Sequence, residues 1–412
     1  MLVGIDLGTT NSAIAAIIDG EIVVFKSADN REVLPSVIYI DRNDRRLFGH
    51  RALSQAHTSP TNIASGFKRH IGEGFEITFE ASNLVLNAEE CSTEILKQLL
   101  ARARAQVDNG TEITHAVIGV PAAFNQMQNE ATKRAALAAG LRDVKLLQEP
   151  IAAAIASEEM SGSTSDAFIV FDLGGGTLDV ALVQNLLGSL TVERHEGVNR
   201  LGGRDFDRLI VDQVLVPWLL DTFDLPNDFM KLEEYTRLRR VLQPAAEDAK
   251  VELAGQEQSG IFVPEDNVRT VDLVQTPIYV DVDLTRERFE TLIGPLLDRT
   301  VAVCRDLLKS ALYEPEDVDR LVFIGGPTRM QFVRDYVSNA LGIPAVQEVD
   351  PMTAVAIGAA VFGATAAVVD KSSKEAEEER TQADVGVEFQ VQEVTGSETA
   401  RFRLRIKDPK PD

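Results

Sequence analysis

The sequence predicts an α/β protein of two lobes, and three observations carry that prediction. At 412 residues the chain exceeds what one ordinary hydrophobic core supports. Between residues 116 and 147, strand-like apolar runs flank a helical segment, the order of a βαβ unit. A strand, Asp-Leu-Gly turn, strand pattern also occurs twice, at residues 2–16 and 168–183. The polar, serine-rich connection at 157–166 separates the two copies, so the lobes are placed at 1–160 and 161–370. A charged linker at 371–384 and a short β-hairpin tail at 385–412 complete the chain.

The first turn lies in LVGIDLGTTNSAIAA, residues 2–16, where Asp6 leads into Gly8, Thr9, Thr10, Asn11 and Ser12. Short strands follow at 21–26 and 36–40, with Leu34-Pro35-Ser36 between them. The stretch IASGFKRHIGEGF carries Lys68 beside Arg69, which on its own is a solvated basic pair. Ile95, Leu96, Leu99, Leu100 and Ala103 recur at helical spacing and predict an amphipathic helix over 88–107. A strand at 116–121 ends at Pro121, a crossover helix spans 126–139, and a strand spans 144–147. Glu149 and Pro150 then open an alanine-rich helix, a favourable place for an acid whatever else it does.

The second copy, FIVFDLGGGTLDVALV, is the centre of the chain. Gly174, Gly175 and Gly176 free the backbone of Cβ atoms, so successive N–H groups can approach an anion such as a phosphate. Asp172 enters this turn and Asp179 leaves it, with the Thr177 hydroxyl between. Carboxylates beside a phosphate repel it unless a divalent cation intervenes, so the pattern implies Mg²⁺ and a nucleotide. One such turn serves equally well as a plain hairpin. Two can face each other across a cleft, one holding outer phosphates and the other the metal and inner phosphates.

Beyond it, NRLGGRDFD at 199–207 places Gly202 and Gly203 before a helix. A charged helix is expected over 230–253, short strands over 261–282, and a long helix with a buried stripe over 285–312. LVFIGGPTR at 321–329 runs a strand into Gly325 and Gly326. Residues 351–369 hold no charge and are just long enough to span a bilayer. Alanine, glycine and threonine dominate them, which favours a buried, closely packed helix over membrane insertion. Alternation at Val385, Val387, Phe389 and Val391, then at Phe402, Leu404 and Ile406, predicts a hairpin with one apolar face.

A net charge of −23 and a pI near 4.7 argue against nucleic acid or an anionic membrane as a general partner. Cys91 and Cys304 alone make neither a disulfide framework nor a zinc site. With Met1 leading straight into a strand, a cytoplasmic location is expected.

Taken together, the paired turns, Lys68, Glu149, the Gly-Gly-Arg-Asp-Phe-Asp turn, Glu247 with Lys250, and the Gly-Gly-Pro-Thr-Arg turn resemble the nucleotide-binding part of the DnaK-type, seventy-kilodalton heat-shock chaperones. These belong to the actin and sugar-kinase superfamily of ATPases. The resemblance implies an actin-like ATPase fold, each lobe a ribonuclease-H-like five-stranded mixed sheet with helices, plus smaller subdomains. It implies ATP or ADP and Mg²⁺ as ligands, with Lys68, Thr177, Asp179 and Glu149 as catalytic residues. Asp6, with Asp172 and Glu149 through water, would hold the metal. Gly8, Thr9, Thr10, Asn11, Gly174, Gly175, Gly176, Gly202, Gly203, Glu247, Lys250, Gly325, Gly326 and Arg329 would contact nucleotide, Gly202 and Gly203 through backbone N–H groups. The implied function is an ATP-hydrolysing chaperone in protein folding, switched by its nucleotide. Unfolded peptide clients, a J-type co-chaperone and an exchange factor are the implied partners.

Several positions depart from the family. Arg204 replaces the usual acid, Val251 an arginine on the adenine, and Pro327 a serine. Met352 stands where relatives often carry an aspartate linked to K⁺, and Asn129 where they carry an arginine that works with Pro121 in interdomain signalling. The leucine-rich linker is missing, and the tail is too short for a peptide-binding domain. The alternatives are a sugar or acetate kinase sharing the cleft, or a non-catalytic nucleotide-sensing or filament-forming module.

Overall fold

Val3 and Ile5 in the first strand have no exposed surface, because that strand is covered on both faces. This computed structural model describes residues 1–365, apart from 57, 58, 108, 109, 163, 164, 187 and 346–348, together with the backbone of 387–391 and 402–406. The first sheet contains β1 (Leu2–Asp6), β2 (Asn11–Ile18), β3 (Glu21–Val24), β4 (His115–Val120) and β5 (Asp143–Gln148), in the order β3-β2-β1-β4-β5. The β1/β2 and β2/β3 pairs are antiparallel, while β1/β4 and β4/β5 are parallel. A short strand, Leu34–Pro35, adds to β2. This is the mixed sheet expected for each lobe.

The second half repeats the plan with β6 (Ala167–Leu173), β7 (Thr177–Leu186), β8 (Ser189–Asn199) and β9 (Arg320–Ile324), in the order β8-β7-β6-β9. The β6/β9 pair is parallel, as β1/β4 is. At the fifth position the described residues show an isolated parallel bridge, Leu321 with Ala345, in place of a full strand. Asp6 pairs with Gly119 and Asp172 with Ile324, so equivalent aspartates close the parallel pairing in each sheet.

Helix α1 (Ala88–Arg104) starts at a reciprocal Asn87/Glu90 cap and buries Ile95, Leu96, Leu99, Leu100 and Ala103, as its spacing predicts. Helices α2 (Gln126–Ala138) and α3 (Glu149–Ser161) also form where expected, and left-handed Gly162 ends α3. Helix α4 (Gly203–Ile210) follows the second glycine pair. The helix predicted from 230 begins only at 236: two 3₁₀ turns, Phe229–Lys231 and Glu233–Tyr235, precede α5 (Thr236–Leu253). Buried Phe229 and Tyr235 pin these turns into the core edge to face, overriding the helical charge pattern. The strands expected over 261–282 are Gln258–Val263 and Val280–Thr285, paired antiparallel. The long helix α6 spans Arg286–Ala311.

Each half has its own core, one built from residues such as Ile5, Phe25, Phe67 and Leu99, the other from Phe171, Phe206, Phe289 and Leu297. Between the sheets lie α3 and a helix at 354–365, joined by Ala13, Ala15, Ala156, Ala356 and Ala360. Their approach leaves no room for a Cβ: one placed on Gly358 would fall 1.7 Å from the Ala152 carbonyl oxygen, and one on Gly4 2.2 Å from that of Ala356. The alanine and glycine content that weakens a membrane reading is therefore what lets these elements touch. Among the described residues no helix is long and apolar enough to cross a membrane. Cys91 and Cys304 are free and buried, and burial raises both thiols to about 12.

Residues 364–412 form a separate unit. Within it Val387–Val391 and Phe402–Ile406 pair antiparallel, matching Val387 to Ile406 and Phe389 to Leu404, as the alternation predicts. The 371–384 linker and the apolar face of the hairpin lie outside the described residues.

Candidate functional site

The first turn is held from behind. Ser36 donates its hydroxyl to the Gly8 carbonyl at 2.7 Å and its N–H to the Thr10 carbonyl at 2.8 Å, and shares a buried hydroxyl contact of 2.9 Å with Ser12. Among the described residues the N–H groups of Gly8, Thr9 and Thr10 make no hydrogen bond. In the second turn Gly174 donates to the Thr177 carbonyl at 2.9 Å, while the N–H groups of Gly175 and Gly176 are likewise unengaged among the described residues. A Cβ on Gly175 would sit 2.8 Å from Thr10 Oγ1, so the two turns confront one another. Open N–H groups on two facing turns are donors of the kind that hold phosphates.

Lys68 belongs to a 3₁₀ turn, Phe67–His70, entered through Gly66 at φ 67°, a left-handed conformation that favours glycine. Buried Phe67 anchors that turn, and Lys68, only 4% exposed, reaches Glu149 Oε1 at 2.6 Å, with its ammonium 5.6 Å from the Phe124 ring centre. Glu149 is placed by the start of α3 and Asp6 by the end of β1. Asp172 and Asp179 are directly paired across β6 and β7.

The electrostatics show one crowded site. Burial, then the Glu149 carboxylate, raises Asp6 to about 7, against the pull of Lys68. Asp172 is raised well above the usual range by burial and by Glu149, Asp179 and Asp6. Burial and Glu149 lift Asp179 to about 6, opposed by Lys68, His195 and a hydrogen bond with Thr177. Asp179 remains open to the cleft, so solvent screens part of that effect. Four acids thus share one ammonium.

A divalent cation would relieve the repulsion among these acids, and Asp6, Glu149, Asp172 and Asp179 are the residues that could hold one. Among the described residues no three acids, histidines or cysteines converge closely enough to ligate one ion directly. A cavity of about 30 Å³, roomy enough for a water molecule, is lined by Glu149, Asp172, Asp179 and His195.

Other predicted groups play different parts. The N–H groups of Gly202 and Gly203, expected to face phosphates, both have partners within the chain. Gly202 donates to Asp205 Oδ2 at 3.0 Å and Gly203 to the Gly174 carbonyl at 3.0 Å. Their shared value is closeness, since a Cβ on Gly202 would lie 2.6 Å from the Gly176 nitrogen. Lys250 is buried and tied to Asp207 at 2.6 Å and to the Gly203 carbonyl at 3.2 Å, holding α5 to the start of α4. Glu247, on the same helix, is exposed.

Gly325, at φ 90°, lies against the second turn; a Cβ there would meet the Leu173 carbonyl oxygen at 2.1 Å. Gly326 neighbours the Met352 sulfur, and Arg329 is exposed and paired with Asp350 at 3.2 Å. Asn11 starts β2 behind the first turn. Sequence reasoning gave no role to Ser36, Asp207 or His195; only their contacts reveal one.

Two mixed sheets of like topology, each with an aspartate at or next to the end of its first strand before a glycine turn, and one acid-lined site, define a two-lobed α/β protein of the actin-like ATPase class. The Hsp70 protein family matches residues 2–375, and the chain belongs to that family. It is accordingly a chaperone of the Hsp70 kind, with an Hsp70-type nucleotide-binding domain. The family generally binds ATP and ADP, has ATPase activity, and typically engages clients and co-chaperones.

Proposed function

We propose that this chain hydrolyses ATP in the cleft between the two turns and uses the nucleotide state as a conformational switch. The observation that carries the reading is the part-buried Lys68–Glu149 pair, set with Asp6, Asp172 and Asp179 near turns whose N–H groups are open. Gly8, Thr9 and Thr10 on one wall and Gly175 and Gly176 on the other bind and orient the triphosphate. Lys68 stabilises negative charge that develops as the terminal phosphoryl group leaves, a contribution usually larger than any proton transfer. Thr177 and Asp179 orient the attacking water. Asp6, Asp172 and Glu149 would hold Mg²⁺ through its waters, and that ion, when bound, neutralises phosphate oxygens.

Residues 1–160 and 161–370 serve as the two lobes, whose relative angle differs between ATP and ADP states. Free buried thiols suit a reducing cytoplasm. Unfolded peptide, a J-type co-chaperone and an exchange factor are the partners this reading assigns. The test is ATP turnover with Mg²⁺ by the protein and by Lys68→Ala, each with and without an unfolded peptide. Turnover should fall about 100-fold or more in the variant. Equal turnover would reject the role of Lys68, and a rate indifferent to peptide would reject coupling to a client.

A further inference from the structure

In a chain of net charge −23, three arginines gather at the Gly174–Gly176 turn. Arg200 and Arg204 reach it through the backbone, donating N–H groups to the Gly176 carbonyl at 3.0 Å and the Gly175 carbonyl at 2.8 Å. Arg69 arrives from the other lobe, next to Lys68, and its Nη2 lies 2.7 Å from where a Cβ on Gly176 would be. All three side chains are exposed. Among the described residues no carboxylate comes within ion-pairing distance of Arg69, Arg200 or Arg204, although the lysines Lys68 and Lys250 each have one. Although Arg69 is exposed, partial desolvation and then the charge of Arg204 lower its proton affinity, as expected of like charges near one another.

Two guanidiniums carried to one glycine turn repel unless an anion lies between them, and their planar forks match the oxygens of a phosphate. The unengaged N–H groups of Gly175 and Gly176 border the same space. We propose that Arg69 and Arg204 form a two-arginine clamp for a phosphate oxyanion, which makes closure of the cleft mouth conditional on that anion. The clamp deepens the nucleotide reading above and rests on it. Its ligand is either the terminal phosphate of the triphosphate or the inorganic phosphate left after cleavage.

Calorimetric titrations of the full chain and of the exposed-site variants Arg204→Gln and Arg204→Glu separate these sources. The ligands are ADP, a β,γ-imido analogue of ATP, and inorganic phosphate added to ADP-saturated protein. ADP affinity should stay within about twofold, while affinity for the analogue or for phosphate falls about tenfold, with the larger loss in Arg204→Glu. A loss confined to the analogue assigns the clamp to the terminal phosphate, and one confined to phosphate assigns it to the product. Unchanged binding of both, or an equal fall for ADP, overturns the clamp. Should the unaltered chain bind no adenine nucleotide, the ATP reading fails, yet inorganic phosphate titrated alone still decides the clamp. Binding that Arg204→Glu abolishes supports it, and binding that is absent or unchanged overturns it.

Discussion

Replacing Asp6 by Asn removes one negative charge from the place where four carboxylates share a single ammonium. With its carboxyl moved from the usual 3.8 to about 7 by burial and by Glu149, keeping Asp6 ionised at pH 8 costs up to about 4 kcal/mol relative to the unfolded chain. Solvent reaches the edge of the side chain, which trims the figure to about 2–3 kcal/mol. Because the folded value lies above the unfolded one, the native state holds the extra proton between about pH 4 and pH 7, and stability falls as pH rises through that window. The penalty is complete above about 7 and absent below about 4. Asp6→Asn should therefore stabilise the protein freed of nucleotide and metal by about 2–3 kcal/mol at pH 8, and by less than half of that at pH 5. Urea unfolding in chelator at the two pH values measures both numbers. A variant no more stable than the parent at pH 8, or one whose advantage grows at pH 5, would refute the crowded-acid account.

Two further substitutions probe the scaffold. Ser36→Ala removes the hydroxyl that braces the Gly8 carbonyl while leaving the fold's cores intact; ATP affinity should drop about tenfold, with stability lowered by about 1 kcal/mol. Equal affinity by calorimetry would show that the first turn holds its shape unaided. Gly358→Ala drives a methyl group into the Ala152 carbonyl and should cost about 3 kcal/mol or more in denaturant unfolding, since backbone on both sides must separate. A loss under about 1 kcal/mol would mean that the helix at 354–365 is free to shift.

Much of this molecule was legible because its chemistry sits on short local patterns. A strand, an aspartate and a glycine turn can be read from a few adjacent residues, and both copies form with the predicted strand pairing on each side. The tail hairpin pairs as its alternation requires. What stayed hidden depended on partners far away in the chain. Nothing near Lys250 reveals that Asp207 holds it, and nothing near Gly203 reveals that the Gly174 carbonyl takes up its N–H. Lys68-Arg69 reads as one basic pair, yet the fold turns Lys68 inward to Glu149 and leaves Arg69 over Gly176. The late start of α5 has the same origin, because the packing of Phe229 on Tyr235 is tertiary and leaves no mark on helical periodicity.

Amide hydrogen exchange with and without Mg²⁺ and ATP tests most directly whether one triphosphate is gripped from both walls. The account predicts that the amides of Gly8, Thr9 and Thr10 and those of Gly175 and Gly176, all unengaged among the described residues, gain protection together at a single nucleotide concentration. Protection of one turn without the other, or of neither at saturating ATP, would contradict it.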